Sequence, residues 1–236
     1  MCLAYLWELS LHKVVENALT EIVRAETYSQ LQDIIDDLAT GLGYPYYGYQ
    51  YWPGTANYGD PDFSGVVQAN YPEAWQQRYV DQGYYDNDPV RLQGIEREGI
   101  IDWHLIPRWT SDQETVMQDA YRYGLQHGVV ASFHENLGGR LQLTFAGKEG
   151  DGDSTLSKDA LTMIAPALLV CFRRAHKLEE KLKWLTARQR DVFMLWRKGE
   201  RRENIAETLS VTVRQVDRHI ARIKERTSVN ALADID

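Results

Sequence analysis

A short segment between residues 71 and 90 brings together two aromatic hydrogen-bond donors and one carboxylate. Trp75 and Tyr79 are four residues apart, and on a helix that spacing places an indole N–H and a phenol O–H on one face. Asp88 precedes Pro89, which biases the backbone of Asp88 toward an extended conformation. Aromatic rings with two donors and one acceptor suit a small amphiphile that carries amide and carbonyl groups.

The same three residues also have a plain structural interpretation. The spacing of Trp75 and Tyr79 on one helical face is equally typical of residues that pack into the core. Asp88 before a proline could simply cap a turn. On these residues alone, a ligand site and ordinary packing both stay open.

The elements that must position this segment alternate between helical and strand-like patterns. Proline at a first helical position and a glycine at the end predict a helix from Pro72 to Gly83. Ser111 is the expected N-cap of a later helix. The other predicted helices span 3–23, 27–42, 89–97, 111–127 and 154–183, the strands span 46–51, 65–69, 129–134 and 140–146, and loops cover 52–63 and 136–139. Helices on both faces of an antiparallel sheet predict an α/β/α sandwich, followed by an all-α C-terminal domain, so the fold class is α+β.

The predicted helix over 154–183 carries an apolar stripe with two possible uses. Leu161, Ile164, Leu168 and Phe172 recur at helical spacing. Such a stripe packs equally well on a sheet or against a second copy of the chain.

A compact helical module follows from residue 183. Thr186 and Gln189 form a capping-box pattern, which predicts a helix from 187 to 199. Further helices are expected over 202–209 and 213–226, with Thr212 as the N-cap of the last. Helix, turn and helix of this length is the geometry that lays the last helix in the major groove of DNA. Arginines repeat every four residues along that helix, at Arg214, Arg218, Arg222 and Arg226.

Charge separates the two parts of the chain. The 236 residues carry a net charge of −8. From residue 183 onward, 12 Lys and Arg face 8 Asp and Glu, giving +4 and leaving −12 for the rest. A basic module on an acidic body is expected when one part meets phosphates and the other does not.

Cysteine usage and hydropathy indicate a cytoplasmic protein. Cys2 and Cys171 are far apart in sequence and form no motif, so we expect free thiols in a reducing compartment. Polar residues interrupt the N-terminal apolar run, and Thr162 and Pro166 interrupt the longest later one. We therefore expect no signal peptide and no membrane partner.

Two sets of motifs together resemble the LuxR family of quorum-sensing transcription factors. The first set is Tyr-Pro-x-x-Trp-x-x-x-Tyr from Tyr71, then Asp-Pro-Val from Asp88, then Trp103, then Gly124-Leu125, Gly128-Val129 and Leu141, Leu143 and Thr144. The second set is Leu185-Thr186-Ala187-Arg188, Trp196, Gly199, Ile205-Ala206, Leu209, Val216 and His219. The resemblance covers nearly the whole chain and implies a receptor for an N-acyl-homoserine lactone.

The resemblance implies a role for each matching residue. Trp75 would donate to the lactone carbonyl and Tyr79 to the acyl-amide carbonyl, while Asp88 would accept the amide N–H. Trp103 would pack on the lactone ring, and Tyr71 and Thr144 would help to fix the head group. The expected DNA-binding residues are Arg188, Thr212, Arg214, Gln215, Arg218, His219 and Arg222.

The resemblance also implies an oligomeric state and a separate function for each part of the chain. We expect a homodimer that binds double-stranded DNA at a palindromic promoter site. Residues 1–176 would bind the autoinducer and dimerise, and residues 177–236 would bind DNA. No cofactor or metal is expected beyond the lactone ligand.

The floor of the pocket would set the acyl-chain length. Tyr47, Tyr49, the 65–69 strand and the 129–146 hairpin are the expected contributors. Ser132 departs from the family, whose members often have proline on that strand, and the change would alter strand geometry.

Departures in the C-terminal module support an alternative function. The family usually has Glu at the position of Gln189, Lys at that of Glu200, and Lys followed by an aromatic residue at that of Asp217 and Arg218. Asp217 places an acid where a DNA contact is expected, and should weaken binding unless Arg218 compensates. The chain also ends at Asp236, before the family's final helix would be complete. The alternative is therefore a DNA-binding-deficient member that pairs with an intact relative as an anti-activator.

An enzyme, such as a hydrolase of the same lactone, is the third possibility. The six histidines are scattered along the chain, and we find no metal-ligand cluster and no nucleophile elbow. We therefore predict that the protein is not an enzyme.

Overall fold

A computed structural model describes residues 2–54, 65–107, 110–135 and 138–227, with side chains from residue 12 onward. Its helices are α1 Cys2–Arg24, α2 Tyr28–Gly41, α3 Glu73–Asp81, α4 Pro89–Glu96, α5 Ser111–Arg122, α6 Ser154–Leu182, α7 Ala187–Arg197, α8 Arg202–Thr208 and α9 Val213–Thr227. Its strands are β1 Tyr46–Trp52, β2 Val66–Ala69, β3 Gly99–Asp102, β4 His127–His134 and β5 Arg140–Gly147.

The five strands form one antiparallel sheet in the order β2-β1-β5-β4-β3. One face packs on α6, where the rings of Tyr49 and Tyr51 lie 5.0 and 5.5 Å from the ring of Phe172. The opposite face, with Thr144 and Val130 in register, is covered by α3, α4 and α5. This confirms the predicted α/β domain followed by a helical domain.

The apolar stripe of α6 lies in the core of the N-terminal unit. Leu161, Ile164, Leu168 and Phe172 are all fully buried, so they pack on the protein's own sheet. Within the described residues, α6 is also the helix long and apolar enough to cross a membrane, but half of its apolar window is buried inside the protein. Burial of this kind is typical of a core helix.

Contacts within the chain divide it into two units, Met1–Arg173 and Arg174–Asp236. The division comes a few residues before the boundary predicted at 176. The function of each part stays a prediction at this point. Cys171 is buried, and its Sγ donates to the carbonyl oxygen of Ile22 at 3.3 Å.

Several element predictions were wrong in detail. The N-cap of α5 is Thr110 rather than Ser111, because the Thr110 hydroxyl accepts the N–H of Gln113 in a capping box. α5 ends at Arg122, five residues before the predicted 127, since Gly124 adopts a positive φ of 85°. The short edge strand β3 was not predicted. Most of the loop predicted over 52–63, and two residues of the 136–139 turn, lie outside the described residues.

Candidate functional site

A cavity of about 250 Å³ lies in the N-terminal unit between the sheet and helices α3, α4 and α5. All six residues predicted to bind a ligand line it: Tyr71, Trp75, Tyr79, Asp88, Trp103 and Thr144. Four of them lie between residues 71 and 88, and the fold brings Trp103 and Thr144 to the same cavity.

α3 presents Trp75 and Tyr79 to this cavity side by side. Their ring centroids are 5.6 Å apart in an edge-to-face arrangement. Trp75 is 4% exposed and also packs on Tyr84 and Tyr123. Both rings therefore serve the core and the cavity wall at once, which reconciles the two interpretations of their spacing.

Asp88 is both a helix cap and a cavity residue. Its Oδ1 accepts the backbone N–H groups of Val90 at 2.9 Å and Arg91 at 3.2 Å, which caps α4. Its Oδ2 accepts the hydroxyl of Tyr79 at 2.8 Å. Burial raises the pKa of Asp88 above its usual range, although the hydrogen bond from Tyr79 and the two backbone amides oppose the rise.

The hydroxyl of Tyr79 is correspondingly hard to ionise. Burial raises its pKa, and the neighbouring charge of Asp88 raises it further. Tyr79 therefore stays a neutral phenol that donates a hydrogen bond to Asp88. A ligand that bonds to Asp88 would compete for that position.

Tyr71 and Thr144 meet at a point on the sheet that needs glycine. Gly48 pairs with Thr144 across β1 and β5. A Cβ added to Gly48 would lie 2.8 Å from the hydroxyl oxygen of Tyr71, so the missing side chain makes room for that ring. Burial raises the pKa of Tyr71, and the phenol is a hydrogen-bond donor at this point of the cavity.

Trp103 offers a donor that no described residue accepts. Its indole Nε1 is buried and has no hydrogen-bond partner among the described residues. The residue lies in a short 3₁₀ turn, Trp103–Leu105, which Asp102 caps by accepting the N–H of His104 at 3.0 Å. A buried unpaired N–H is costly, and a carbonyl oxygen in the cavity would offset that cost.

The C-terminal unit is a three-helix module with its own core. The core comprises Val192, Phe193, Ile205, Val216, Ile220 and Ile223, each at most 4% exposed. Thr186 and Gln189 form the predicted capping box at the start of α7. Thr212 accepts the N–H of Gln215 at 3.3 Å, while Gln215 accepts that of Thr212 at 2.8 Å, so α9 begins in the same way.

The residues predicted to contact DNA fall into two groups in this unit. Arg214, Arg218 and Arg222 project from α9 and are exposed. Arg188 donates to the carbonyl of Leu209 at 2.6 Å. Arg188 therefore has a structural bond, as Thr212 and Gln215 do in their capping box.

His219 lies among the cations of the same surface. Burial lowers its pKa, and the charges of Arg222, Arg188 and Arg218 lower it further. A neutral ring is thus favoured in the absence of an anion. Arg226, the last of the four-residue repeat, instead donates to the carbonyl of Trp184 at 3.1 Å and to Gln189 Oε1 at 3.3 Å.

Asp217 is neutralised by a neighbour other than the one expected. Its Oδ1 lies 2.6 Å from Nε of Arg202 on α8, and both side chains are about half exposed. The ion pair joins the two helices of the helix-turn-helix. The acid on α9 is therefore balanced by Arg202.

Two family models match the chain in the order of these two units. The autoinducer binding domain matches residues 27–175, and the bacterial regulatory proteins of the luxR family match residues 183–235. The chain belongs to the LuxR family. It is a quorum-sensing transcriptional regulator with an autoinducer-binding domain and a DNA-binding helix-turn-helix, in a family of regulators and not of enzymes.

Individual LuxR-type proteins agree with this placement. Transcriptional activator protein AnoR of Acinetobacter nosocomialis is 24% identical over 224 residues, 91% of this chain and 92% of AnoR. The N-acylhomoserine lactone dependent factor CepR2 from Burkholderia cenocepacia has a TM-score of 0.57 at 18% identity, covering 70% of this chain and 98% of CepR2. Escherichia coli SdiA in complex with octanoyl-rac-glycerol has a TM-score of 0.54 at 18% identity, covering 94% and 91%. At this identity the two structures show a shared fold.

The cavity of this LuxR-family protein contains polar residues that sequence reasoning missed. Gln50, Arg91 and Gln142 all line it. Arg91 is 3% exposed, and its guanidinium lies 3.1 Å from the ring centroid of Tyr85. The alternation of Gln142 and Thr144 with the buried apolar residues of β5 was a signal for an inward-facing polar position.

The prediction for the pocket floor was partly wrong. Tyr49 and residues 67–69 are part of the lining, but the ring of Tyr49 packs on Phe172 at the opposite face of the sheet. Tyr49 therefore reaches the cavity only through its backbone. Tyr47 is absent from the described lining and is 2% exposed. Its neighbour Gly48 occupies the cavity face instead, because successive residues of a strand point to opposite faces.

Proposed function

We propose that this LuxR-family regulator binds an N-acyl-homoserine lactone and, as a cytoplasmic homodimer, reads a palindromic promoter site. The observation that carries the proposal is the pairing of Tyr79 with Asp88 in an aromatic cavity, where Asp88 retains acceptor capacity. The ligand's amide N–H would donate to Asp88 Oδ2. The Tyr79 hydroxyl would then be free to turn toward the acyl-amide carbonyl.

The remaining donors suit the other polar atoms of such a ligand. A homoserine lactone has a ring carbonyl, an amide carbonyl and one N–H. Trp75 and Trp103 offer indole N–H groups, and the latter has no partner among the described residues. Tyr71 and Thr144 would hold the head group beside Gly48. The lactone dependence of CepR2, which shares this fold, supports the same ligand class.

The experiment that tests the ligand separates the two roles of Asp88. The protein is purified from cells fed a mixture of acyl-homoserine lactones, and an organic extract is analysed by mass spectrometry. We expect about one lactone per wild-type chain and none in Asp88→Asn. Asparagine keeps an oxygen to cap α4 but presents an N–H₂ donor to the ligand's N–H.

A matched variant and a check of folding complete the test. Asp88→Ala loses the cap as well as the acceptor, and should fold less stably than Asp88→Asn by about 1 kcal/mol. Circular dichroism checks that Asp88→Asn is folded. Recovery of a lactone from folded Asp88→Asn at the wild-type level would contradict the assignment of Asp88 as the ligand acceptor.

For the homodimer, α6 offers a face other than its buried stripe. Met163 is 55% exposed and Val170 is 50% exposed, and exposed Pro166 lies between them on the same side of the helix. Exposed apolar groups at helical spacing favour an interface. We expect a dimer in sedimentation and a shift to monomer in Val170→Asp. Tyr121→Asp, at an exposed apolar residue of α5, is the control.

For DNA binding, α9 supplies the recognition helix. Arg214, Arg218 and Arg222 are exposed along it, and they would contact phosphates or base edges in the major groove. The anti-activator alternative loses its main support, because Asp217 is paired with Arg202. A gel shift with promoter fragments should show salt-sensitive, sequence-selective binding. Failure of the ligand-loaded dimer to bind any such fragment would contradict DNA binding by the homodimer.

A further inference from the structure

The floor of the cavity has two neighbouring rows of residues with different chemistry. In the first row, Gly48 of β1 pairs with Thr144 of β5, and this is where the Tyr71 hydroxyl lies. Two residues along the strands, Gln50 pairs with Gln142, and Gln142 pairs with Ser132 of β4. We call Gln50, Gln142 and Ser132 the polar row. Strand geometry places it about 7 Å from the first row.

The side chain of Gln142 is built into its position. It is 4% exposed. Its Nε2 donates to the carbonyl of Val90 at 3.4 Å. A Cβ on Gly94 would lie 2.6 Å from its Cδ, so the glycine of α4 makes room for the amide. Ser132 Oγ donates to the carbonyl of the same Gly94, which holds α4 against the polar row.

This arrangement leaves two acceptors without a donor. The Oε1 atoms of Gln142 and Gln50 are buried and have no hydrogen-bond partner among the described residues. The orientation of the Gln142 amide follows from Val90, since a reversed amide would set its oxygen against the carbonyl. Gln142 therefore presents an oxygen, and a buried oxygen without a donor is costly.

We infer that the polar row selects ligands whose acyl chain carries a hydroxyl group. The inference rests on the proposed lactone function and names the ligand class within it. With the head group at the first row, the chain must pass the polar row. A hydroxyl there donates to Gln142 or Gln50, whereas a plain methylene leaves both oxygens unpaired. A keto group, which has no donor, does not satisfy Gln142.

The position of the hydroxyl follows from the spacing of the rows. An extended alkyl chain with C–C bonds of about 1.5 Å advances about 1.3 Å per carbon, so about 7 Å corresponds to about five carbons. The length of the glutamine side chains brings nearer carbons within reach. The hydroxyl therefore lies between the β and δ carbons of the acyl group. Apolar side chains such as Val116 and Ala120, which also line the cavity, suit the rest of the chain.

The test compares four homoserine lactones with the same eight-carbon chain on the full-length protein. The probes are N-octanoyl, N-(β-oxooctanoyl), N-(β-hydroxyoctanoyl) and N-(δ-hydroxyoctanoyl) homoserine lactone, with dissociation constants from competition binding. We expect at least one hydroxylated probe to bind about tenfold more tightly than octanoyl, the effect of one buried hydrogen bond gained and one penalty removed. The keto probe should bind no better than octanoyl.

Variants then assign the preference to the polar row. Gln142→Met keeps the length of the side chain and removes the amide, so we expect the hydroxyl preference to fall to about twofold or less while octanoyl affinity holds or rises. Gln50→Met should reduce the preference in part, and it also serves if Gln142→Met does not fold. Gln77→Met is the matched control, because Gln77 of α3 is exposed and is not among the residues that line the cavity; it should keep the wild-type ranking.

Each contrary result has a distinct meaning. If wild type binds octanoyl as tightly as both hydroxylated probes, water serves the two oxygens and the inference is overturned, while lactone binding stands. Equal losses for all four probes in Gln142→Met would also overturn it, since they indicate a packing role. If wild type binds none of the probes and the extraction experiment also yields no lactone, the proposed lactone function fails and the inference fails with it.

Discussion

The two units of this protein differ in where most of their functional polar groups lie. The N-terminal unit keeps polar atoms inside, and several of them, such as Trp103 Nε1 and Gln142 Oε1, have no protein partner among the described residues. The helix-turn-helix unit uses Thr186, Gln189, Thr212 and Gln215 in capping boxes and leaves Arg214, Arg218 and Arg222 in solvent. Interior hydrogen-bonding groups without a protein partner suit the binding of a small molecule. Exposed cations suit the binding of phosphates.

Not every buried polar group of the N-terminal unit awaits a ligand. Asp119 is 3% exposed and accepts hydrogen bonds from Arg78 and Tyr84, with Arg122 at 2.7 Å. This cluster joins α3, which presents Trp75 and Tyr79, to α5. It is saturated by the protein, so its role is to position α3.

The largest expected effect comes from breaking that saturated cluster. Asp119→Ala leaves the Tyr84 hydroxyl buried without its acceptor, and should lower the free energy of unfolding by about 2 kcal/mol or more. Urea unfolding measures the change. Lactone affinity of the folded fraction should fall as well, because α3 loses its attachment. A loss under about 0.5 kcal/mol would show that the cluster contributes little to the fold.

The pH dependence of stability sharpens the contrast between Asp119 and Asp88. The Tyr84 hydrogen bond lowers the pKa of Asp119, with Arg78 acting in the same direction. The stability that Asp119 contributes is therefore present above its unfolded pKa of about 3.9, and is lost as pH falls through its lower folded pKa. Burial raises the pKa of Asp88, so its contribution is present below that unfolded value and is lost as pH rises through the folded one.

Unfolding curves across pH would separate these two carboxyls. Asp119→Asn should flatten the loss of stability below about pH 4. Asp88→Asn should flatten the loss that occurs as pH rises above about 4 in the absence of ligand. If both variants changed the profile in the same pH window, the prediction that the two carboxyls affect stability in opposite directions with pH would be wrong.

The smallest expected effects lie on the surface of the DNA-binding unit. Arg202→Ala exposes the charge of Asp217 and should weaken DNA binding, while Asp217→Ala frees Arg202 and should strengthen it. Each change should alter the free energy of unfolding by about 1 kcal/mol or less, because the pair is half exposed. The slope of log K against log salt should steepen by about one in Asp217→Ala. Identical affinities for both variants would show that the pair lies away from the DNA.

Local patterns were the most predictable part of the fold. The capping boxes at Thr186 and Thr212 involve residues three apart, so their hydrogen bonds can be inferred without knowing the rest of the chain. The same holds for Trp75 and Tyr79 on one helical face. The edge strand β3 was missed because four residues become a strand only when β4 lies beside them.

The candidate site was predictable as a set of residues but not as a network. Resemblance to the LuxR family placed Tyr71, Asp88, Trp103 and Thr144 in one pocket, and all of them line the cavity. The bond from Tyr79 to Asp88, nine residues apart, depends on how α3 and α4 pack. The ion pair of Arg202 with Asp217 likewise depends on the angle between two helices.

By itself, the sequence determined the order of every helix and of four of the five strands among the described residues, and the family, because periodicity, caps and motif spacing are properties of nearby residues. The tertiary structure alone decided which polar atoms are left without a partner. Gln142 is one glutamine among many in the sequence, but the packing of Gly94 and Val90 orients its amide toward the cavity. A partner's absence is a property of the whole neighbourhood, and that neighbourhood exists only after distant segments have packed together.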